Sequence, residues 1–532
     1  MTTATGLRAA DPSARAPARG VWAALALSET RRVTLHPLVL AAYVVVLAGW
    51  LVPVATGNAD LRYPDLTASS WTVQYLMLLV AAATFVATNA VVLRARVSAN
   101  SEFEDTLSLP RWQRVAAACV APAGPALVGL VVAGAQLAVL SRAPGAAGSV
   151  QVGELAAVPA VILLAGTLGV LVGSVVANVA AAFLALVLLA VVGLVGLVAV
   201  SRRERWLAFV TGENPFTTPP LPSVLVDRPE WWHLLWLVGL AVLCAAVSLQ
   251  LAGLRRMAVV VAVAVCLSAV GAVAQLRPMS AEQRGQLDAA YTRPWTMQVC
   301  ETRHDVTYCA FPDFGRRIDA WAAVVESQRA VLPPTARLPE IAVRQRLPVA
   351  PGEYGILSPL PLERWAREDA AAGTPGALPV STRWSRGGVD SFDETEVIGF
   401  SALVAARMVG VPWPAGDLAM CGSRGVLTLW LAAGATPETR RSLDTVLAHH
   451  QGNSVSLPVL GSSTGVRLGP RERSLAQTML DADQEALRPR VVQHWRELTD
   501  AKTSVERAAA LLGAAPPDPS LQGETTVCRP ST

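Results

Sequence analysis

Between residues 37 and 276 the chain carries seven runs of apolar side chains, and no Asp, Glu, Lys or Arg interrupts the middle of any of them. The runs cover 38–56, 71–93, 115–140, 155–177, 178–200, 233–254 and 257–276. A helix of about 20 apolar residues spans the hydrocarbon core of a bilayer with every backbone group bonded internally. The pattern therefore predicts an integral membrane protein: a tail at 1–36, a transmembrane domain at 37–276 and a polar domain at 277–532. The first run begins too far from Met1 for a secretory signal, follows Arg31 and Arg32, and precedes six more, so we expect it to be retained. Residues 155–200 are too long for one crossing at about 1.5 Å per residue. They read as a helical hairpin turning near 173–178.

Hydrophobic residues make up 52% of the chain and charged ones 16%, outside the soluble range. The net charge of +4 comes from scattered arginines and implies no nucleic-acid partner. Lys502 is the only lysine and follows Ala501. A P-loop requires Gly-Lys-Ser/Thr, so the chain has no such ATP site of its own.

Arginine placement sets the expected orientation. Arg31 and Arg32, the 94–114 loop, and Arg255 with Arg256 favour the cytoplasm, and seven crossings then put 277–532 outside. Arg202, Arg203 and Arg205 count against this. Cys119, Cys244 and Cys266 fall in apolar runs, whereas Cys300, Cys309, Cys421 and Cys528 all lie in the polar domain. An even set in an extracytoplasmic domain predicts two disulfides. Cys300 and Cys309 flank a short hairpin at 301–308 and are natural partners; Cys421 with Cys528 is left by elimination. The polar groups deep in the runs are neutral: Gln74, Asn89, Gln136 and Asn178. We expect them to bond between helices. Ion-driven carriers need ionisable groups at depth, so transport energy is expected from another subunit.

Two stretches suggest which one. Glu29, Arg31 and Arg32 precede His36 and Pro37 in a segment suited to lie along the membrane interface. After the second run, an acidic, partly apolar segment leads from Ser101 to Leu109, Pro110, Arg111 and Arg114. These features resemble type-2 ABC exporter permeases: a Glu-x-Arg-Arg elbow followed by Pro, and an acidic loop ending Leu-x-Leu-Pro-x-x-x-Arg. The resemblance covers residues 20–255. It implies an elbow helix bearing Glu29, Arg31 and Arg32, and a loop (94–114) that docks a separate ATPase through Glu102, Phe103, Glu104, Leu107, Leu109, Pro110, Arg111 and Arg114. It also implies pairing with a second permease chain, homodimeric or heterodimeric, in the plasma membrane. Residues 206–226, with Pro215, Pro219, Pro220 and Pro222, occupy the place of the family's re-entrant segment. They equally fit an interfacial loop beside the aromatic belt of Trp231 and Trp232. A seventh helix and the C-terminal domain depart from the family and leave the cargo open.

The expected fold is an all-α membrane bundle, six permease-like helices plus a seventh, followed by a mainly helical α+β soluble domain. Helices are predicted at 314–331, from Asp393 and Glu396 to Gly410, after Thr436 and Pro437, at 471–487 and from Arg490 past Trp495; a buried strand is predicted at 426–431. The G-x-S-x-G letters at 461–465 precede two helix breakers within 466–470, and the downstream Asp481, Asp483 and His494 lie close in sequence for a triad. His449 and His450 are adjacent, about 100° apart on a helix, and His494 with Glu497 has no further ligand. We therefore expect no catalytic residue, cofactor or metal, and a permease subunit rather than an enzyme. The alternative is a membrane-anchored extracytoplasmic binding or sensor protein.

Overall fold

The computed structural model describes residues 18–56, 61–97, 109–176, 178–198, 207, 220–226, 229–336, 340–347, 360–384, 391–413, 418–449, 453–462 and 464–521. The membrane half contains α1 (Ala18–Thr34), α2 (Pro37–Ala55), α3 (Leu66–Val97), α4 (Arg111–Val120), α5 (Ala123–Ser141), α6 (Val152–Val175), α7 (Val179–Val198), α8 (Glu230–Leu251) and α9 (Met257–Gln275). Among the described residues, six spans are long and apolar enough to cross a bilayer: Pro37–Ala55, Leu66–Arg94, Arg111–Ser141, Val152–Val175, Glu230–Leu251 and Met257–Gln275. The third span joins α4 and α5, broken at Ala121 and Pro122. Within the remaining apolar run lies α7, of which Ala180–Val191 is a shorter apolar stretch.

Exposed apolar surface identifies the solvent of this half. Leu38, Val44 and Val45 on α2, Phe183, Leu184 and Val187 on α7, and Val259, Val263 and Val273 on α9 all face outward. Beyond residue 277, only Val299 and Val492 are exposed large hydrophobics among the described residues. A soluble protein does not expose bands of this kind; a multi-pass membrane protein does.

The bundle is built around α3 and α6. A Cβ at Gly169 would lie 2.4 Å from the Phe85 carbonyl oxygen, so only glycine permits this approach. At that distance Thr88 Oγ1 donates to Gly166 O (2.9 Å) and Asn89 Nδ2 to Gly169 O (3.1 Å). Gln74 Nε2 likewise donates to Glu154 O at 3.0 Å. The interhelical bonds expected of Gln74 and Asn89 are present. Asn178 instead caps its own helix, its Oδ1 accepting from Ala180 N (2.9 Å), and half-buried Gln136 makes no side-chain bond among the described residues. A residue at a helix start satisfies nearby amides before it reaches a neighbouring helix.

After α10 (Ala281–Thr292) the polar half folds around two small sheets. The first runs β1 (Val299–Arg303), β2 (Val306–Ala310), β3 (Ile341–Arg346) and β4 (Leu378–Ser381); β1–β2 is antiparallel, and β2–β3 and β3–β4 are parallel. Helices α11 (Ile318–Arg329) and α12 (Leu362–Ala371) connect the parallel strands, and α13 (Ser391–Met408) follows β4. The second sheet contains β5 (Leu418–Met420), β6 (Val455–Pro458) and β7 (Gly465–Leu468), with β7 central. It is accompanied by α14 (Gly422–Gly434), α15 (Pro437–His449), α16 (Pro470–Asp481), α17 (Gln484–Gln493), α18 (Trp495–Leu498) and α19 (Val505–Leu512). One apolar cluster, including Tyr308, Trp321, Val343, Phe400 and Leu429, unites the two sheets.

Several local expectations are corrected. Residues 426–431 are not a strand but the middle of α14, which is buried on all sides. An apolar run without periodicity reads alike for a buried strand and a buried helix. Helix α13 begins at Ser391, and Glu396 does not close a capping box. Its carboxylate is buried and accepts from Leu460 N at 3.0 Å. The helix predicted at 471–487 divides at Ala482, whose backbone is extended, and Asp483 caps α17 through Glu485 N (3.0 Å). Gly410, with φ +85°, follows α13 as expected.

Candidate functional site

The membrane half has two ends of different character. At one end, α1 lies against α4, and Trp22 Nε1 donates to Gln113 O at 3.1 Å. Gly124 makes the next contact possible, since a Cβ there would overlap the Thr34 hydroxyl. Glu29 pairs with Arg32 at 3.2 Å one helical turn along. At the α1–α2 corner His36 caps α2, its Nδ1 accepting from Leu38 N (3.3 Å). Burial, assisted by Arg94, holds the His36 pKa below its ordinary value, which keeps the ring neutral and able to accept. Arg31, Arg32, Arg94, Arg111, Arg255 and Arg256 are all exposed.

Of the residues expected to form the docking loop, Leu109 is half-buried, Pro110 and Arg111 are exposed, and Arg114 is half-buried at the start of α4. Glu102, Phe103, Glu104 and Leu107 lie outside the described residues. Thus α1, which bears Glu29, Arg31 and Arg32, is brought against α4, the helix that follows the segment expected to dock.

At the other end, the loops before α3 and α6 are stitched to each other and to the polar domain. Tyr63 N donates to Pro144 O (2.8 Å), Ala147 N to Pro64 O (2.9 Å) and Leu66 N to Ala147 O (2.8 Å). A Cβ at Gly145, whose φ is +65°, would lie 2.1 Å from the Tyr63 ring. Arg317 then joins this pair of loops to the domain. It is fully buried and donates through Nε to Gly145 O (3.3 Å), through Nη2 to Tyr63 O (2.9 Å) and through Nη1 to Thr382 O (2.6 Å). Asp313 adds a second tie, accepting from Gly148 N (3.1 Å) at its carbonyl and from Ser223 N (2.5 Å) at its carboxylate. Arg62 pairs with Glu438. Leu221 and Leu225 pack with Phe311 and Phe314. The end of the Pro-rich segment therefore rests on the polar domain, while 208–219 lie outside the described residues.

Sequence reasoning missed Arg317, which is one of 44 basic residues and carries no local pattern. It also missed Glu154, buried in the first turn of α6 beside Gln74, and the buried set Arg344, Arg346, Glu368 and Asp369. In that set Arg346 donates to Glu368 (2.5 Å) and Asp369 (2.7 Å), and Arg344 Nε lies 2.9 Å from Asp369. The i, i+2 spacing of two arginines in a strand otherwise facing a core was the available signal.

Cys300 and Cys309 are disulfide-bonded and directly opposite in the β1–β2 ladder, as the hairpin reading expected. Cys421 is also disulfide-bonded; its expected partner, Cys528, lies outside the described residues. Gly461, Ser462 and Thr464 lie in the β6–β7 connection and Gly465 opens β7, so the segment is not a strand-to-helix turn, and Ser462 Oγ is engaged with Val459 O (2.6 Å) and Thr464 O (3.1 Å). His449 Nδ1 contacts its own helix at Thr445 O, His450 lies outside the described residues, and Glu497 is held by Arg507. Among the described residues no three His, Cys, Asp or Glu side chains are grouped to hold a metal. The arrangement has exposed arginines at one end and a clamped domain at the other. No protein-family model, curated protein or solved structure matches this chain.

Proposed function

We propose that this chain is the membrane-spanning subunit of an ABC-type exporter, driven by a separate ATPase that docks on the 94–114 loop. The observation that carries the proposal is the packing of α1 on α4 through Trp22 and Gln113, amid six exposed arginines. An elbow held against the helix that the loop enters gives a docking partner a lever on the bundle.

In this reading α7 is a seventh crossing. Glu154 and Glu230, at the starts of α6 and α8, are in contact (Glu154 N to Glu230 Oε2, 3.3 Å). The α6–α8 connection must therefore return across the bilayer, and α7 is the apolar helix available. The basic end is cytoplasmic, by the positive-inside bias, and 277–532 lies outside, in keeping with its disulfides. The subunit works as a pair, because two ATPase sites need two docking loops, and the ATP is hydrolysed by the partner subunit.

Co-purification of an ABC ATPase subunit from native membranes, with and without residues 101–111 of this chain, tests the reading. Loss of the ATPase on deletion is expected; undiminished binding would overturn it and favour an anchored binding or sensor protein.

A further inference from the structure

Helix α1 has two sides with different surroundings. On one, Ala26 and Val33 are buried and Trp22 donates to Gln113 O of α4, so that side faces the bundle. On the other, Leu27, Arg31 and Leu35 follow one another at four-residue spacing, and all three are exposed. Leu35 N donates to Arg31 O at 2.9 Å, which carries the helical turn one residue past Thr34. Side chains four apart share a helix face. Leu27 is 72% exposed and Leu35 52%, and exposed Leu38 continues the apolar surface onto α2.

The depth of this surface follows from the spans. The α2 span starts at Pro37 and the α3 span ends at Arg94, so the α1–α2 corner lies where hydrocarbon gives way to headgroups. Arg94 stands close to that corner. Burial lowers the His36 pKa, and the Arg94 charge lowers it further. The acid on α1, Glu29, is turned to Arg32 at 3.2 Å. The side chains of Arg31 and Arg94 are exposed and make no hydrogen bond or ion pair among the described residues. A guanidinium presents paired donors that match two phosphate oxygens.

Two needs therefore meet at one place, and they select the occupant. A small soluble anion would satisfy the arginines but leave Leu27, Leu35 and Leu38 in water. A zwitterionic lipid would cover the leucines but set its own cation against the arginines. We propose that the α1–α2 corner is a site for an anionic phospholipid, its phosphate held by Arg94 and Arg31 and its acyl chains lying against Leu27, Leu35 and Leu38. The site needs the membrane bundle and not the exporter reading, so it is tested without any ATPase.

The full chain in a neutral detergent is titrated with phosphatidylglycerol, phosphatidylcholine or glycerol phosphate, and bound molecules are counted by native mass spectrometry. Phosphatidylglycerol is expected to bind more tightly than phosphatidylcholine, and glycerol phosphate, which lacks acyl chains, not to be retained. An arginine near an anionic headgroup contributes about 5-fold. Replacing both, Arg31→Gln with Arg94→Gln, should weaken phosphatidylglycerol about 25-fold and leave phosphatidylcholine unchanged. Both side chains are exposed, so the variant should keep the fold, checked by its melting temperature. Arg255→Gln with Arg256→Gln, in the α8–α9 turn, removes the same charge elsewhere at this end and should have a much smaller effect. Equal loss in that variant would mean diffuse attraction to the basic end and overturn the site. Equal binding of the two lipids, retention of glycerol phosphate, or unchanged affinity in the Arg31 and Arg94 variant would also overturn it.

Discussion

Replacing Arg317 by Ala should loosen the polar domain from the bundle without unfolding either. The wild-type side chain donates to three backbone carbonyls, of Tyr63, Gly145 and Thr382, the first two in different loops of the membrane half. Hydrogen bonds from charged groups contribute about 1.5–3 kcal/mol each, and a buried acceptor left unpaired costs about 1–3 kcal/mol. The Nε bond, at 3.3 Å, is the longest, and Asp313 and the Arg62–Glu438 pair remain. The Thr382 bond lies within the domain, so we expect about 3 kcal/mol at the junction from the two bonds that cross it, to Tyr63 and Gly145, taken at the lower end of that range. If this free energy closes the junction, the opening equilibrium shifts by about 100-fold. Native-state hydrogen exchange in nanodiscs reads it directly at the amides of Gly148 and Ser223, both bonded across the junction to Asp313. Their protection should fall together, while amides of α14 in the domain core keep theirs. Arg317→Lys should recover only part of the loss, because an ammonium has no planar fork to span three carbonyls. Unchanged protection in Arg317→Ala, or loss throughout the domain, would refute the clamp as a local latch.

Gly169→Val should force α3 and α6 apart, because its Cβ would meet the Phe85 carbonyl at 2.4 Å. The expected overpacking cost is about 1–3 kcal/mol or more, read as a lower melting temperature of the detergent-solubilised protein. Reducing Cys300–Cys309, nine residues apart, should cost the polar domain about 2–3 kcal/mol on a chain-entropy view of so short a loop. On intact cells an impermeant thiol reagent should label these cysteines only after reduction; labelling that requires lysis but no reductant would place the domain in the cytoplasm. His36 predicts acid sensitivity at the α1–α2 corner. Its pKa is lowered in the folded chain from the ordinary 6.5, so protonation favours the unfolded state. The contribution is complete above pH 6.5 and declines as pH falls below it. His36→Asn retains a cap and should abolish that decline in melting temperature between pH 7.5 and 5.5.

The runs between 37 and 276 determined the membrane bundle by themselves, because length and absence of charge are sufficient conditions for a spanning helix. Local spacing likewise determined the Cys300–Cys309 hairpin, and Thr436 with Pro437 the start of α15, since both depend on contacts within a few residues. Nothing in the local sequence told that Trp22 would pin the helix bearing Glu29, Arg31 and Arg32 to α4. Only tertiary structure decided that 426–431 is helical, for a run buried on every side has no periodicity to report its backbone. It also decided that Gln74 and Asn89 bond between helices whereas Asn178 turns to its own helix, a matter of which acceptor lies in reach. Arg317 was invisible for the same reason. A buried guanidinium is tolerated where carbonyls from three distant segments converge on it, and that convergence exists only after residues 63, 145 and 382 have been folded together.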